Sequence, residues 1–138
     1  MRYVASHAFY RRVLGGWLGL PPASVPLRLT AEGRPEVALP GAPDFNTSHA
    51  DGVALIAVSH AGRVGVDVER LRELDDAWDL AGSHLAGEEL ATFRALPAAT
   101  RSRAFLAAWT RKEAVVKATG RGLAIPLDGF DTGPVDGA

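Results

Sequence analysis

Two acidic side chains close together in the chain form the first group with the potential for chemistry. Asp67 and Glu69 belong to the segment V-G-V-D-V-E (64–69), in which apolar and polar residues alternate. In a strand every second side chain shares a face, so the valines would occupy one face and the two carboxylates the other. At about 6.6 Å apart, the carboxylates can each offer an oxygen to one hard cation. A solvated strand face is the competing interpretation, because acidic side chains are usually exposed.

A second group lies in the segment W-T-R-K-E-A-V-V-K (109–117), whose pattern is helical. Glu113 and Lys117 are four residues apart, so they share one helix face. A surface ion pair is the competing interpretation, although Trp109 and Val116 indicate that this side of the helix partly faces the core. Both lysines of the chain lie in this segment, in a chain with 13 arginines. Lysine can release a proton when its pKa is lowered and arginine effectively cannot, so lysine suits a phosphate leaving group.

A third group is the segment F-N-T-S-H (45–49), which ends in a hydroxyl and an imidazole. Ser48 and His49 are side chains that suit an anionic oxygen. The competing interpretation is the end of a strand whose side chains bond to the local backbone.

The first part of the chain must position these groups with one helix and several strands. Apolar residues recur at three- and four-residue spacing between Tyr3 and Leu20, beginning with Val4, and predict an amphipathic helix that Gly19 ends. Strands are predicted over Leu27–Leu29, Phe45–His49, Val53–Val58 and Arg63–Glu69, the last two joined by a hairpin loop at Ser59–Gly62.

The second part of the chain has helical patterns. Helices are predicted over Gly87–Leu96 and Thr100–Thr119, with Pro97 and Gly120 as their stops and Thr100 as an N-cap. Leu123–Phe130 is expected to be extended and residues 133–138 to be frayed. Strands before Glu69 and helices after it indicate an α+β fold rather than an alternating α/β fold.

Composition restricts the chemistry further. The 138 residues are 47% apolar and 22% charged, as in a globular domain, and no run is long and apolar enough to span a bilayer. With no cysteine, any metal must bind to oxygen or imidazole. The net charge of −1 argues against nucleic-acid and anionic-membrane partners. We expect a soluble cytoplasmic protein, because the N-terminus has no signal-peptide pattern.

Taken together and in this order, the blocks F-N-T-S-H (45–49), V-G-V-D-V-E (64–69) and W-T-R-K-E-A-V-V-K-A-T-G-R-G-L (109–123) resemble the 4′-phosphopantetheinyl transferase superfamily. The first block and the D-x-E form resemble its larger, surfactin-synthetase-activating class, since the smaller holo-acyl-carrier-protein synthases share only the other two. The resemblance implies two pseudo-related halves, residues 1–70 and 71–138. Each would be a small antiparallel sheet packed on a long helix, and together they would form one compact unit around a cleft.

The resemblance also implies an activity and its catalytic residues. Members transfer the phosphopantetheine arm of coenzyme A to a serine of an apo acyl or peptidyl carrier protein and release 3′,5′-ADP. Asp67, Glu69 and Glu113 would hold Mg²⁺ together with the pyrophosphate of coenzyme A. Glu113 would accept the serine proton, and Lys117 would bind the pyrophosphate and stabilise the departing phosphate.

Three further residues would bind coenzyme A by the same resemblance. Ser48 and His49 would contact its phosphate oxygens, and Arg34 would reach the 3′-phosphate. Residues 94–121 carry seven basic and one acidic side chain, a surface that would suit an acidic carrier protein. A basic helix face that is simply solvated is the competing interpretation.

The length of the chain leaves two hypotheses about its function. Relatives of the larger class have an additional segment before the first helix and additional strands at the end, so the chain is expected to be shortened at both termini. Missing strands would expose sheet edges, which makes self-association an open question. The leading hypothesis is an active transferase. The alternative is a truncated, non-catalytic relative that binds coenzyme A or a carrier protein.

Overall fold

The structure is a computed structural model that describes residues 2–136, without the side chains of residues 2–6 and 123. In chain order its elements are α1 (Arg2–Leu18), β1 (Leu27–Leu29), β2 (Pro35–Val37), β3 (Asp44–Ala50), β4 (Val53–Ser59), α2 (Ala77–His84), α3 (Gly87–Ala95) and α4 (Ala98–Thr119). Short 3₁₀ turns lie at Pro22–Ser24, Gly122–Ala124 and Leu127–Gly129. β1 pairs with β2 and β3 with β4, both antiparallel, and the α+β class is confirmed. None of the helices described here is long and apolar enough to cross a membrane.

The N-terminal helix forms as predicted. Gly19 follows its last residue in a left-handed conformation (φ 66°), which is a common way to end a helix. Leu14 faces inward with no exposed surface. Its partners in the core of the first half are Val25, Val37 and Phe45. Val4, which belongs to the predicted pattern, has a side chain outside the described residues.

The hairpin of the structure differs from the predicted one. β3 and β4 pair along their whole length around Asp51-Gly52, whose φ angles are 47° and 85°. Asp-Gly is a preferred dipeptide for a two-residue turn in which both φ angles are positive. The predicted hairpin between residues 53–58 and 63–69 is therefore wrong, because β4 is paired with the strand before it by this tighter turn.

Residues 63–70, here called the linking segment, run beside β3 without joining its ladder. At every second position a backbone amide donates to a β3 side chain: Val64 to Asp44 Oδ2 at 2.7 Å, Val66 to Asn46 Oδ1 at 2.9 Å and Val68 to Ser48 Oγ at 3.2 Å. Each of these bonds joins residues 20 positions apart in the chain. The linking segment therefore runs parallel to β3 with the spacing of a strand. Side chains thus take the place of a backbone ladder.

Helices α3 and α4 confirm the two predicted helices of the second half, and Gly120 ends α4 in a left-handed conformation. The N-cap assignment of Thr100 is wrong. Pro97 occupies the N-cap position, and Thr100 lies in the first turn, where its hydroxyl donates to the Pro97 carbonyl at 3.0 Å. Helix α2, which the sequence did not predict, packs with α3 and α4. Their shared core contains Ala77, Ala81, Leu85, Phe93, Ala104, Phe105, Ala108 and Val135.

The end of the chain is neither extended over residues 123–130 nor frayed over the described part of residues 133–138, contrary to both expectations. Leu123–Phe130 does not form a strand but contains two 3₁₀ turns, so both sheets lie within residues 27–59. The chain beyond Phe130 is packed rather than frayed over its described part. Val135 is only 6% exposed, and its amide donates to Thr92 Oγ1 at 3.0 Å. Residues 137–138 lie outside the described chain.

Gly65 allows α4 to lie directly against the linking segment. A Cβ atom at Gly65 would stand 1.8 Å from the Ala114 carbonyl oxygen and 2.6 Å from the Ala118 amide nitrogen. Because both neighbours are backbone atoms, no side-chain rotation can relieve the clash. Glycine is required here by a close approach of two backbones.

We predict that Gly65→Ala destabilises the protein by about 3 kcal/mol or more, since overpacking against backbone forces the two segments apart. Urea unfolding followed by circular dichroism measures the change. Gly82→Ala in α2 is the matched control, because a Cβ there meets nothing within 4 Å. It should be neutral or stabilising, as alanine is the better helix former. Equal stability of Gly65→Ala and the unmodified protein would contradict the close approach.

Candidate functional site

An ion pair between Lys117 and Asp67 lies at the centre of the site. Lys117 Nζ is 2.6 Å from Asp67 Oδ1 and also donates to Ser48 Oγ at 3.2 Å and to the Val66 carbonyl at 3.3 Å. The Ser48 hydroxyl donates to the same Asp67 oxygen at 3.0 Å. Residues from β3, the linking segment and α4, 50 and 69 positions apart in the chain, therefore meet around one carboxylate.

Asp67 is nearly inaccessible, yet one of its oxygens has no partner. Its side chain is 7% exposed, whereas that of Lys117 is 30% exposed. Oδ2 is buried and makes no hydrogen bond. A buried, unpaired carboxylate oxygen is costly unless something else satisfies it, and a cation is the natural partner.

Glu113 lies one helical turn before Lys117 and interacts electrostatically with the Asp67–Lys117 ion pair. Burial raises the pKa of its carboxyl, and the negative charges of Asp67 and Glu69 raise this pKa further, whereas Lys117 lowers it. A carboxylate with a raised pKa is a stronger base, which suits a proton acceptor. Glu69 is more exposed than Asp67 and lies 3.6 Å from Arg72.

Ser48 and His49, which the resemblance assigned to the same ligand, lie on opposite faces of β3. Ser48 is 8% exposed and belongs to the face that contacts the linking segment, while the His49 side chain is exposed. Neighbouring residues of a strand point in opposite directions, so this separation follows from β3 being regular. The structure brings Ser48, but not His49, to the Asp67–Lys117 pair.

Arg34, which the resemblance assigned to a phosphate of coenzyme A, bonds extensively to the protein, while its Nε is buried and makes no hydrogen bond. Arg34 is 8% exposed, and its terminal nitrogens donate to four acceptors of the protein. These are Asp44 Oδ2 at 2.7 Å, the carbonyl of Phe45 at 3.0 Å, the carbonyl of Val64 at 2.8 Å and the carbonyl of Lys117. Arg34, the residue just before β2, is therefore a buried link to β3, the linking segment and α4.

Two cavities share Lys117 in their walls. One has a volume of about 480 Å³, includes Glu113 in its lining and is otherwise largely apolar, with Trp109, Ile125 and Leu127. The other has a volume of about 430 Å³, and its charged lining includes Glu32, Arg34 and Arg121. Arg121 lies within the block that carries the resemblance but was not singled out from the sequence.

Lys112, the other lysine of the chain, forms a buried ion pair away from the Asp67–Lys117 pair. Lys112 and Glu89 are both fully buried and lie 2.7 Å apart. Lys112 also donates to the carbonyls of Leu127 and Phe130 and stands 4.4 Å from the centre of the Phe130 ring. The sequence placed Glu89 on a helix but carried no signal that it would be buried.

Comparison with known proteins identifies the family. Residues 63–137, more than half of the chain, match the 4′-phosphopantetheinyl transferase superfamily, and the chain belongs to it. A relative from a Nostoc species, 4′-phosphopantetheinyl transferase HetI, is 36% identical over 126 residues, which cover 89% of this chain and 53% of the relative. The 4′-phosphopantetheinyl transferase gsp of Aneurinibacillus migulanus is 30% identical over 94% of this chain and 56% of its own length. A 4′-phosphopantetheinyl transferase of Bacillus subtilis is 29% identical over 81% and 49%. The chain spans about half the length of the curated relatives it matches.

The electrostatic coupling around Glu113 predicts opposite effects of two neutral substitutions. Asp67→Asn removes a negative charge and should lower the Glu113 pKa, whereas Lys117→Met removes a positive charge and should raise it. Carboxyl-carbon NMR titration of Glu113 measures both shifts. Asp79→Asn, on the surface of α2, should leave the Glu113 pKa unchanged. Shifts of the same sign for Asp67→Asn and Lys117→Met would contradict the arrangement.

Proposed function

We propose that this chain transfers the 4′-phosphopantetheine arm of coenzyme A to a serine of an apo acyl or peptidyl carrier protein and releases 3′,5′-ADP. The observation that carries the proposal is the meeting of Ser48, Asp67 and Lys117 in one hydrogen-bonded group, with Glu113 coupled to it. These residues come from all three blocks that carry the family resemblance. Family membership supplies the reaction class.

The proposal includes assignment to the larger, surfactin-synthetase-activating class. Its support is the first block, F-N-T-S-H, since Ser48 of this block lies in the site rather than in a remote strand. The two halves of that class would here be residues 1–70 and 71–138. The linking segment ends the first half and lies against α4 of the second.

The carboxylates of the site fit a magnesium ion. Among residues 2–136 no three histidine, aspartate or glutamate side chains are close enough to hold a metal by themselves. Magnesium, however, commonly binds one or two carboxylates and takes its other ligands from substrate phosphates and water. Asp67 Oδ2 is buried and unpaired, and Glu113 and Glu69 lie within electrostatic range. Asp67, Glu69 and Glu113 would hold the ion, which when bound neutralises charge on the pyrophosphate.

The residues of the chain would divide the remaining chemistry between them. Glu113 accepts the proton of the carrier serine, whose oxygen bonds to the phosphorus that carries the arm. The bond between this phosphorus and the bridging oxygen of the pyrophosphate breaks, and 3′,5′-ADP leaves. Lys117, with 30% of its side chain exposed, donates to the departing phosphate. Ser48 orients Asp67 and Lys117, and the apolar cavity beside Glu113 has room for the arm.

A non-catalytic relative that binds coenzyme A or a carrier protein is the second candidate. The contact between Lys117 Nζ and Asp67 Oδ1 favours it, because a cation of the protein already neutralises this carboxylate. In that case coenzyme A would raise the melting temperature without any formation of 3′,5′-ADP.

We predict that Glu113→Gln and Asp67→Ala each reduce modification of an apo carrier protein by at least about 100-fold, the loss typical when a proton acceptor or a charge-stabilising group is removed. Intact mass spectrometry of the carrier protein after incubation with coenzyme A and Mg²⁺ measures the added arm. Glu88→Gln, on the exposed side of α3, is the matched control and should retain full activity. Unchanged modification by Glu113→Gln would remove Glu113 from its assigned role. Absence of modification by the unmodified chain, together with thermal stabilisation by coenzyme A, would favour the second candidate.

A further inference from the structure

We propose that Glu89 and Lys112 are positioning residues. Their buried ion pair fastens residues 127–135, here called the strap, to helices α3 and α4, and the strap in turn supports part of the wall of the apolar cavity beside Glu113. The fastening rests on the contacts alone. Its effect on transfer rests on the proposed function, in which this cavity receives the arm of coenzyme A.

Lys112 reaches the strap from α4. Its ammonium nitrogen lies 2.7 Å from Glu89 Oε2 and donates to the carbonyl of Leu127 at 2.6 Å and to the carbonyl of Phe130. These three acceptors match the three donors of an ammonium group. Lys112 is fully buried, and its cation also lies 4.4 Å from the centre of the Phe130 ring. Two of these three bonds therefore go to the strap.

Glu89 reaches the strap from α3, and its two oxygens bind different donors. Oε1 accepts from the Thr132 amide at 2.7 Å and from the Thr132 hydroxyl. Oε2 faces Lys112 and also accepts from the Ala86 amide at 3.3 Å. Hydrogen bonds to an ionised group are stronger than those between neutral groups. The carboxylate therefore links the strap firmly to the ammonium of Lys112.

Exposed hydrogen bonds supplement these buried ones. Arg111 donates to the carbonyls of Gly133 at 3.3 Å and Pro134 at 3.1 Å, and Asp131 accepts from the Glu88 amide. Because water competes for exposed groups, such bonds stabilise the strap less than bonds to a buried charge. The far end of the strap is anchored by an apolar side chain in the core of the second half. Over residues 127–132 the strongest attachment is therefore the ion pair.

The strap begins at the cavity that contains part of the candidate site. Leu127, whose carbonyl accepts from Lys112, lines this cavity together with Glu113 and Lys117. Lys112 directly precedes Glu113 in α4, and neighbouring residues of a helix point about 100° apart. One turn of α4 therefore provides both a carboxylate in the cavity and the cation that holds part of the cavity wall.

Release of the strap would open this cavity. Without the bond to Lys112, Leu127 would lose its fixed position, and water would reach the space beside Glu113. Electrostatic interactions weaken when water enters a site, and misplacement of a bound group by about 1 Å can cost about 100-fold in rate. We therefore expect the ion pair to affect transfer although neither of its members touches the reacting atoms.

A double substitution separates positioning from stability. Removing one member of a buried ion pair leaves an uncompensated charge, whereas replacing both by apolar side chains of similar size is often neutral or stabilising. Glu89→Leu combined with Lys112→Met should therefore unfold at a higher urea concentration than either single variant. The double variant nevertheless lacks every bond from these two side chains to the strap.

Hydrogen exchange followed by mass spectrometry reports on the strap without any turnover. A peptide covering residues 127–135 should exchange at least about 10-fold faster in the double variant, since hydrogen bonds to charged groups are lost. Glu88→Leu is the matched control, because Glu88 is the exposed neighbour of Glu89 and holds Asp131 through its backbone amide. Unchanged exchange of this peptide in the double variant would overturn the inference.

Modification of an apo carrier protein by coenzyme A measures the effect on the site. The folded double variant should lose at least about 10-fold in kcat/KM, as expected when a wall of the site is displaced, whereas Glu88→Leu should keep full activity. Full activity of the double variant would show a merely structural ion pair and overturn the positioning role. Faster strap exchange in the double variant, with no transfer by the unmodified chain, would mean that the proposed function fails and the fastening stands.

Thr132 tests the fastening with both charges in place. Thr132→Val keeps the size of the side chain and removes the hydroxyl that donates to Glu89 Oε1, whereas Thr132→Ser keeps this hydroxyl. Thr132→Val should speed exchange of the strap and slow transfer, by smaller factors than the double variant, and Thr132→Ser should behave like the unmodified chain. This comparison decides the inference even if the double variant does not fold. Equal exchange of the strap in Thr132→Val and Thr132→Ser would overturn it.

Discussion

The row of hydrogen bonds between the linking segment and the side chains of β3 is the interaction on which the site depends. Backbone amides in a packed interior must find acceptors, and most strands find them in a neighbouring backbone. Here Asp44, Asn46 and Ser48 provide the acceptors, one for every second amide. The polar side chains of β3 therefore specify the register of the segment. A slip by one residue would move Asp67 to the opposite face and bring a valine to Lys117.

The second constraint is the distance between the linking segment and α4. Gly65 lies against the backbone at Ala114 and Ala118, which directly follow Glu113 and Lys117 in the helix. A close approach at these two points brings the side chains of Glu113 and Lys117 to the level of Asp67. The acidic residues of the linking segment and the helical Glu–Lys pair thus depend on one glycine, which belongs to the same six-residue block as Asp67. This explains physically why the block needs a residue without a side chain at that position.

The residues of the candidate site could be predicted from the sequence because their signal is local. Alternation identified the face of Asp67 and Glu69, and helical spacing joined Glu113 to Lys117. The pairing of strands could not be predicted in the same way. Two turn signals, at residues 51–52 and 59–62, flank one apolar run, and periodicity alone does not say around which of them the chain folds back. The strand over residues 45–49 is predicted from the sequence, whereas the use of β3 side chains as acceptors for the linking segment is not.

Burial that the sequence does not signal accounts for the remaining differences between the sequence predictions and the structure. Arg34 has the sequence context of a surface residue in a Gly-Arg-Pro turn, and only the folded chain brings four acceptors to it. The end of the chain is similar, since a single valine among glycine, proline and aspartate carries no periodic signal, yet Val135 fills the core of the second half. Over residues 123–130 Pro126 and Gly129 interrupt the apolar run, and 3₁₀ turns satisfy the backbone locally instead of a strand.

The two lysines show how one residue type meets two different requirements in the same helix. Lys112 is enclosed by Glu89, by two carbonyls and by the Phe130 ring, a cage in which a compact ammonium can satisfy all its donors. Lys117 is held at its carbonyl by Arg34, while its ammonium keeps part of its surface open beside two cavities. A wider guanidinium would not fit the first position and would not readily exchange a proton at the second. The preference for lysine in this stretch of an arginine-rich chain therefore has a packing cause at residue 112 and, under the proposed function, a chemical cause at residue 117.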